Sequence, residues 1–281
     1  MVRRLTERLI VTKVAHSCRP HEAKRAPDEL VVEEPMSIQL DGTTVATTMR
    51  TPGHDYELAA GFCLTERLLA GSPILSVRYC ADGPAIDSEF NIVTVDTGGR
   101  APSATPRIGN VHSSCGWCGN DHLEEMCATH SPLPLSDPIA VDVLAAIPRT
   151  VRSMQPLFEA TGSVHASAVF DSEGSVLVVR EDVGRHNAVD KVVGSILLGS
   201  QSELPATGRG LFVSGRASIE MVQKAWSAGF STLLAASAPT ALAVAAARRA
   251  NLVLVGFMRD DSFNIYSPER PSRETMRAAE S

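Results

Sequence analysis

Two cysteines define the chemistry open to this sequence. Cys115 and Cys118 stand in Ser113-Ser-Cys-Gly-Trp-Cys-Gly119, a C-x-x-C flanked by glycines. A thiolate is both a nucleophile and a soft metal ligand, so four readings compete. A structural zinc site would need two further ligands. His112, His122, Cys127 and His130 are near enough in sequence to supply them, although no second C-x-x-C or paired-His spacing accompanies the motif. A zinc deaminase would pair P-C-x-x-C with an upstream H-x-E. Here Ser114 precedes Cys115, and neither His21-Glu22 nor His54-Asp-Tyr-Glu57 has that spacing, so deaminase chemistry fails. A thioredoxin-like dithiol belongs between a core strand and a long helix, where the thiol pKa is lowered. This motif instead follows Thr97-Gly-Gly-Arg-Ala-Pro-Ser-Ala-Thr-Pro-Arg107, which holds too little apolar surface to offset the entropy of ordering it. A persulfide carrier needs an accessible thiol on a segment that can visit two sites, and Gly116 and Gly119 suit that requirement. Spacing alone leaves metal binding, disulfide exchange and sulfur carriage open.

Composition narrows the setting. The chain has 281 residues, enough for one large or two modest domains, and is 44% hydrophobic and 21% charged, ordinary for a soluble globular protein. With 26 Lys and Arg against 32 Asp and Glu, its net charge of -6 gives no reason to expect nucleic acid, which is held by clustered cations. No apolar run is long enough for a membrane span, and Met-Val-Arg-Arg-Leu-Thr-Glu-Arg lacks a signal-peptide core, so a cytoplasmic protein is expected. In that compartment the cysteines at 18, 63, 80, 115, 118 and 127 are thiols, ligands or catalysts rather than a disulfide framework. Cys63, within a helical apolar pattern, and Cys80, ending a strand-like run, read as small buried hydrophobes.

The elements that must position this chemistry fall into two parts. Residues 1–27 read as a tail or edge segment and 268–281 as a tail. Between 28 and 134 the pattern predicts a smaller α+β domain carrying a flexible Cys loop at about 97–120. Leu30 to Glu33 reads as a strand, and Met36 to Leu40 and Val45 to Met49 as a hairpin about Asp41-Gly42. A helix capped by Asp55 and ending before Gly71 follows, then strands at 74–80 and 91–95 and a short helix at 121–129. Ser131-Pro-Leu-Pro134 marks the domain boundary. The part spanning 135–267 opens on a helical stretch interrupted at Pro148, with strands at 165–170 and 176–180. Helices at 186–198, 218–228 and 239–250 then alternate with strands at 211–213, 231–236 and 252–257, and Phe263 to Tyr266 could add an edge strand. Short Val- and Leu-rich strands separated by such helices predict a layered α/β sheet with parallel portions.

In such sheets ligands settle beyond the carboxyl ends of the strands, where helix N-termini present free amides. Three turns fit. Glu181-Asp-Val-Gly-Arg-His-Asn-Ala-Val-Asp-Lys191 is dense in ionisable groups, including Arg185 and His186, and reads as either a site or an ion-pair network. Ser214-Gly-Arg-Ala-Ser218 places Arg216 between hydroxyls, suiting a phosphate. Ala236-Ser-Ala-Pro-Thr240 has Pro where a first helical turn tolerates it. Arg259-Asp-Asp-Ser262 follows the last strong strand, and His165 enters the first strand of the domain after Thr161-Gly-Ser-Val; each alone is more often structural.

Five ordered motifs together carry a resemblance: Ser-Ser-Cys-Gly-Trp-Cys-Gly at 113–119, Ala-Thr-Gly-Ser-Val-His-Ala at 160–166, the segment 181–191, Ser-Gly-Arg-Ala-Ser-Ile-Glu-Met-Val-Gln-Lys at 214–224, and Leu-Val-Gly-Phe at 254–257. Over roughly residues 28–267 the chain resembles the formate dehydrogenase accessory sulfurtransferase family, FdhD. That resemblance implies a cytoplasmic homodimer with a cytidine-deaminase-like α/β/α layered core and mixed sheet. It implies a sulfurtransferase that takes sulfur from a cysteine desulfurase and delivers it to the bis(guanine dinucleotide) molybdenum cofactor (bis-molybdopterin guanine dinucleotide) before insertion into the formate dehydrogenase catalytic subunit. No metal of its own, nucleic acid or membrane is expected.

Carried over by position, Cys115 would bear the persulfide, with Cys118 assisting or resolving. The cofactor-binding stretch would fall on Phe257, Met258, Arg259, Asp260, Asp261 and Ser262, joined by His165, Arg185, His186, Ser214 and Arg216. Arg107 is a candidate for lowering the Cys115 pKa. The rival class is a non-enzymatic chaperone that binds the cofactor for the dehydrogenase without moving sulfur.

Overall fold

The computed structural model describes residues 4–15, 22–80, 90–103, 119–199, 204–259 and 262–268. Of the two readings of residues 1–27, tail or edge segment, the second describes them: β1 (Thr6–Ala15) and β2 (Glu22–Val31) form an antiparallel ribbon paired without a break from Thr6↔Val31 to Ala15↔Glu22. The boundary expected at 27/28 thus falls inside a strand. The ribbon is largely exposed on both faces, so no period-two burial was written into it, and Pro27 is tolerated because each strand of a two-stranded sheet is an edge.

The alternation of Met36, Ile38 and Leu40 appears as β3 (Glu34–Leu40), which turns into β4 (Thr43–Arg50). Asp41 and Gly42 both have positive φ, 48° and 83°, the backbone that a two-residue turn between twisted strands requires. With α1 (Asp55–Thr65), β5 (Ser76–Tyr79) and β6 (Ile92–Asp96), they build a four-stranded sheet ordered β4-β3-β6-β5, in which only the β3 and β6 pair is parallel. One face packs Met36, Ile38, Val93 and Val95 against Leu58, Ala59, Phe62 and Cys63 of α1. Asp55 is the first helical residue rather than the cap, which falls on His54 at φ 56°. Its carboxylate is taken instead by the fully buried Arg50 guanidinium through bonds of 3.1 and 2.9 Å.

The remaining elements are α2 (Gly119–Thr129), α3 (Val141–Arg152), α4 (Pro156–Thr161), β7 (His165–Phe170), β8 (Val176–Asp182), α5 (Arg185–Leu198), β9 (Gly210–Val213), α6 (Ile219–Ser227), β10 (Thr232–Ala235), α7 (Ala241–Ala250), β11 (Val253–Gly256) and β12 (Asn264–Ser267). Six strands pair in the order β12-β11-β10-β9-β7-β8; β9, β10 and β11 are parallel and the other pairings antiparallel. Successive residues of the short central strands point to opposite faces, and both faces are covered. Leu211, Val213, Leu233, Ala235 and Leu254 pack with α5, α6 and α7, whereas Phe212, Leu234 and Val255 pack with Leu144, Ile147 and Val151 of α3. The architecture is mixed α/β with mixed sheets. Pro148 lies inside α3 without interrupting it; it removes one helical N–H bond, and buried Ile147 and Val151 hold the helix across it.

The expected boundary at 131–134 is not where packing changes, because Leu123, Met126 and Leu133 belong to the core of the six-stranded sheet. The two sheets are joined by α1 lying on α5. A Cβ on Gly61 would overlap the Asp190 carbonyl, and one on Gly194 would overlap the Glu57 carbonyl, so the helices cross at backbone distance. Beside the crossing, Lys224 Nζ reaches both oxygens of Asp190 and Thr65 Oγ1 at 2.9 Å and Glu66 at 3.1 Å. Burial disfavours the Lys224 charge, but Asp190 and Glu66 outweigh it and raise its pKa.

Candidate functional site

A cleft of about 960 Å³ opens at the carboxyl ends of β9 and β10, where an open α/β sheet has no further strand to fill it. Ser214 and Ala236 come from the two strand ends, His165 enters from the start of antiparallel β7, and Arg149, Arg152, Gln155 and Phe158 form the wall contributed by α3 and α4. Ser214 Oγ accepts the Ala166 backbone N–H at 2.9 Å and lies 3.3 Å from His165 Nδ1. Its own hydroxyl hydrogen is then free to be donated to Nδ1, which leaves the proton of the neutral ring on Nε2. Partial burial and, next, the Arg185 charge lower the His165 pKa against a smaller opposing effect of Asp182, so the ring is neutral near pH 7.

The segment 181–191 divides between scaffold and site. The Glu181 carboxylate takes the backbone N–H groups of Leu157 and Phe158 at 3.0 and 2.7 Å, capping α4 from another element. Buried Asp182 accepts from Thr51 N, Gly184 N and Asn187 Nδ2 and pairs with Lys191 at 2.7 Å. Asn187 also donates to the Met49 carbonyl, and Lys191 to that of Thr51. Glu181 is thus spent on α4, and Asp182, Asn187, Lys191 and Asp190 on holding the turn against β4, Thr51 and α1. What they leave over is Arg185 and His186. Arg185 Nε is buried with no hydrogen-bond partner among the described residues, and its side chain flanks Gly215 together with the His165 ring. Burial, then Lys224 and Arg185, push the His186 pKa down to about 4, so this ring too is neutral at physiological pH.

The other expected site residues are dispersed. Arg216 is exposed at the β9–α6 turn and does not line the cleft. Phe257 (φ 58°) and Met258 donate backbone N–H bonds to the carbonyls of Ser237 and Ala236, which seats this loop beside the cleft-lining end of β10. Arg259 folds back over the Phe257 ring at 4.0 Å and bonds the Met258 carbonyl, and its backbone N–H reaches the Ser262 carbonyl. Asp260, Asp261, Cys115, Cys118 and Arg107 lie outside the described residues. The structure therefore brings together His165, Ser214 and Arg185, with Met258 adjacent, and leaves Arg216 apart.

Arg149, Arg152, Gln155 and Phe158 escaped the sequence reading. In the chain the two arginines look like the basic last turn common at helix ends, and Gln155-Pro156 looks like a break. Their spacing of three on one helix was the available signal.

Elsewhere, Cys63 and His130 are taken up by the core and its hydrogen bonds. Cys63 is wholly buried, and burial followed by the charges of Asp190 and Asp41 pushes its pKa up to about 12, which makes it inert. His130 has Nε2 on Ser227 Oγ at 2.8 Å and Nδ1 on the Met126 carbonyl at 3.0 Å, so it has no nitrogen left for a metal. Among the described residues no cluster of three His, Cys, Asp or Glu could hold a metal ion, and no helix is long and apolar enough to cross a membrane.

Comparison with known proteins adds the family. A sequence model of the FdhD/NarQ family matches residues 31–272. The sulfur carrier protein FdhD of Mycolicibacterium paratuberculosis is 46% identical over 253 residues, covering 88% of this chain and 92% of its own. That of Streptomyces coelicolor is 44% identical over 285 residues, covering 98% of each. Among solved structures, a chain assigned as a formate dehydrogenase accessory protein of Desulfotalea psychrophila shares the fold with a TM-score of 0.74 at 24% identity, over 95% of this chain and 99% of its own.

Proposed function

The chain belongs to the FdhD/NarQ family, and from that premise we propose that it is a sulfur carrier serving formate dehydrogenase. Cys115 is the carrier. Its thiolate attacks the outer sulfur of a cysteine desulfurase persulfide; a new S–S bond forms at Cys115, the donor S–S bond breaks, and the donor cysteine leaves as a thiolate. Cys118 then attacks Cys115 Sγ and expels the outer sulfur as hydrosulfide, which ligates the metal of the bis(guanine dinucleotide) molybdenum substrate. The Cys115–Cys118 disulfide that remains is reduced by an external dithiol before the next cycle. The chain acts in the cytoplasm as a homodimer, and the substrate's phosphates lie along the sheet edge by Arg185 and the 257–262 loop.

The observation that supports this reading is the edge itself. His165, Ser214 and Arg185 meet there with a buried Arg185 Nε not used by the fold, whereas Asp182, Asp190 and Lys191 of the same segment are internally paired. Guanidinium and hydroxyl groups at strand ends suit an anionic, phosphate-bearing substrate.

Incubation with a cysteine desulfurase and cysteine should add one labile sulfur atom, read by intact mass, and Cys115→Ala should abolish it. If Cys115→Ala still gains sulfur and still activates formate dehydrogenase, the mechanism is wrong. Full activation by a Cys115→Ser/Cys118→Ser protein would select a chaperone that moves no sulfur.

A further inference from the structure

Two anchors bracket the C-x-x-C, and they hold it on very different lengths of chain. On the entry side Thr97 is fully buried, and the Asp41 carboxylate takes its backbone N–H at 2.6 Å and its hydroxyl at 2.5 Å. Thr97 Oγ1 accepts the Arg100 and Ala101 N–H groups in turn, so the segment expected to be flexible from residue 97 is tied down at its start. Cys115 comes fourteen positions after Ala101, a length of chain that can span about 50 Å. That anchor constrains the thiol little. On the exit side α2 opens at Gly119, directly after Cys118 and four positions after Cys115. Four residues reach no farther than about 14 Å. Where α2 is docked therefore bounds where the Cys115 thiol can act.

The docking of α2 is decided at its last turn. Leu123 and Met126 enter the core of the six-stranded sheet and select the buried face of the helix, but apolar contact is non-directional and leaves its exact seat open. Glu124 meets Arg249 at 2.9 Å with both side chains exposed, and a surface pair of that kind contributes little. His130 supplies the direction. Its backbone N–H closes the last turn on the Met126 carbonyl at 2.9 Å, its ring lies 4.9 Å from that of Trp226, and Nε2 is 2.8 Å from Ser227 Oγ. Ser227 donates its hydroxyl hydrogen to the Thr65 carbonyl at 3.1 Å, so it accepts from the ring N–H. Thr65 Oγ1 bonds Asp190 at 2.7 Å. A line of polar contacts thus runs from the end of α2 across α6 into the buried seam between α1 and α5. Trp226 Nε1 closes the same corner by donating to the Ser131 carbonyl at 2.8 Å.

We propose that His130 is a positioning residue for sulfur transfer: through Ser227 and Thr65 it locks α2 to the seam, and α2 in turn presents the Cys115 thiol to the persulfide of a protein donor. The inference rests on the sulfur-carrier reading and assigns no chemistry to His130 itself. A small donor that diffuses to the thiol has no need of this alignment. A protein donor must dock with both reacting sulfurs in line, and a thiol displaced by about 1 Å can lose a large part of the rate.

Two measurements on the full chain test it. Hydrogen exchange of the wild-type protein should find the amides from Leu123 to Thr129 protected like those of α6, and exchange at open-chain rates overturns the proposal. Persulfide uptake at Cys115 is then timed by intact mass with two donors, glutathione persulfide and a cysteine desulfurase supplied with cysteine. In either reaction the Cys115 thiolate bonds to the outer sulfur and the donor's own sulfur leaves as a thiolate. His130→Leu should load from glutathione persulfide within about twofold of wild type and from the desulfurase at least about tenfold more slowly. His130→Gln, which restores an N–H for Ser227, should recover most of that loss. Should His130→Leu fail to fold, Ser227→Ala removes a single hydroxyl and should show the same selectivity between donors. Equal slowing with both donors means a purely structural role and overturns the proposal, as does unchanged loading from the desulfurase. A wild-type chain that takes up sulfur with α2 unprotected sinks the positioning role alone, whereas one that protects α2 and takes up no sulfur from either donor sinks the sulfur-carrier reading and the positioning role with it.

Discussion

The seam between α1 and α5 and the cleft at the carboxyl edge draw on the same eleven-residue segment, 181–191, and treat charge in opposite ways. At the seam Asp182, Asn187, Asp190 and Lys191 are buried and each has its partners within hydrogen-bonding distance. At the cleft Arg149 is exposed and the His165 ring is held neutral, and beside them Arg185, next to Gly215, keeps a buried Nε unpaired. The difference separates scaffold from site more sharply than residue type does. A charge with every partner inside the protein holds elements together, whereas one placed beside others and left short of partners is available to a ligand.

The largest effect should come from the seam. Gly194→Val places a side chain into the Glu57 backbone, which cannot move without separating the two sheets. Loss of soluble folded protein, read by circular dichroism and gel filtration, is the expected result. A folded Gly194→Val protein of normal stability would show that the crossing is not close. Next, Lys224→Met strands Asp190 and Glu66 without a counter-charge and should cost about 3–5 kcal/mol in urea unfolding. On the cleft side, Arg185→Ala should change stability by less than about 1 kcal/mol while formate dehydrogenase activation in cells falls at least about tenfold, the loss of roughly one charge-assisted contact. A stability loss as large as that of Lys224→Met would erase the contrast.

The smallest effect is a pH signature. His186 has its folded pKa depressed from 6.5 to about 4, so on acidification the unfolded chain takes up the proton first, and stability drops as pH falls through that window. Glu57, salt-bridged to Arg180 and His54, has a carboxyl pKa lowered from 4.5 to about 2, its hydrogen bonds and ion pairs exceeding the opposing effect of burial. It contributes stability above pH 4.5 that is lost as pH falls toward 2. His186→Asn should therefore flatten the stability curve between pH 6.5 and 4 and leave the lower loss intact, measured by unfolding at a series of pH values.

Much of the fold was legible because burial leaves a local trace. Met36, Ile38 and Leu40 alternate, Asp41-Gly42 is a turn dipeptide, and the Val- and Leu-rich strands of the six-stranded sheet alternate with helices of matching length. The β1–β2 ribbon left no trace because neither face is buried. The Asp55 cap was misplaced because its carboxylate answers to Arg50, a partner on another element. In the site, His165, Ser214 and Arg185 were legible as polar residues at strand ends. Gln155 and Arg152 were not, since an amide before a proline and an arginine in a last helical turn look like boundary features.

Local periodicity and motif order were enough to identify the elements, the order of α and β, the C-x-x-C and the turns where polar groups gather. Pairing was beyond their reach. Whether Asp182 and Asn187 find their partners depends on Thr51 and Met49, more than a hundred positions away in the chain, brought close because Gly61 and Gly194 let α1 and α5 meet at backbone distance. Hydrogen bonds and ion pairs act over a few ångströms. The division of one charged segment into structural and ligand-facing members was therefore settled only when the two sheets came together.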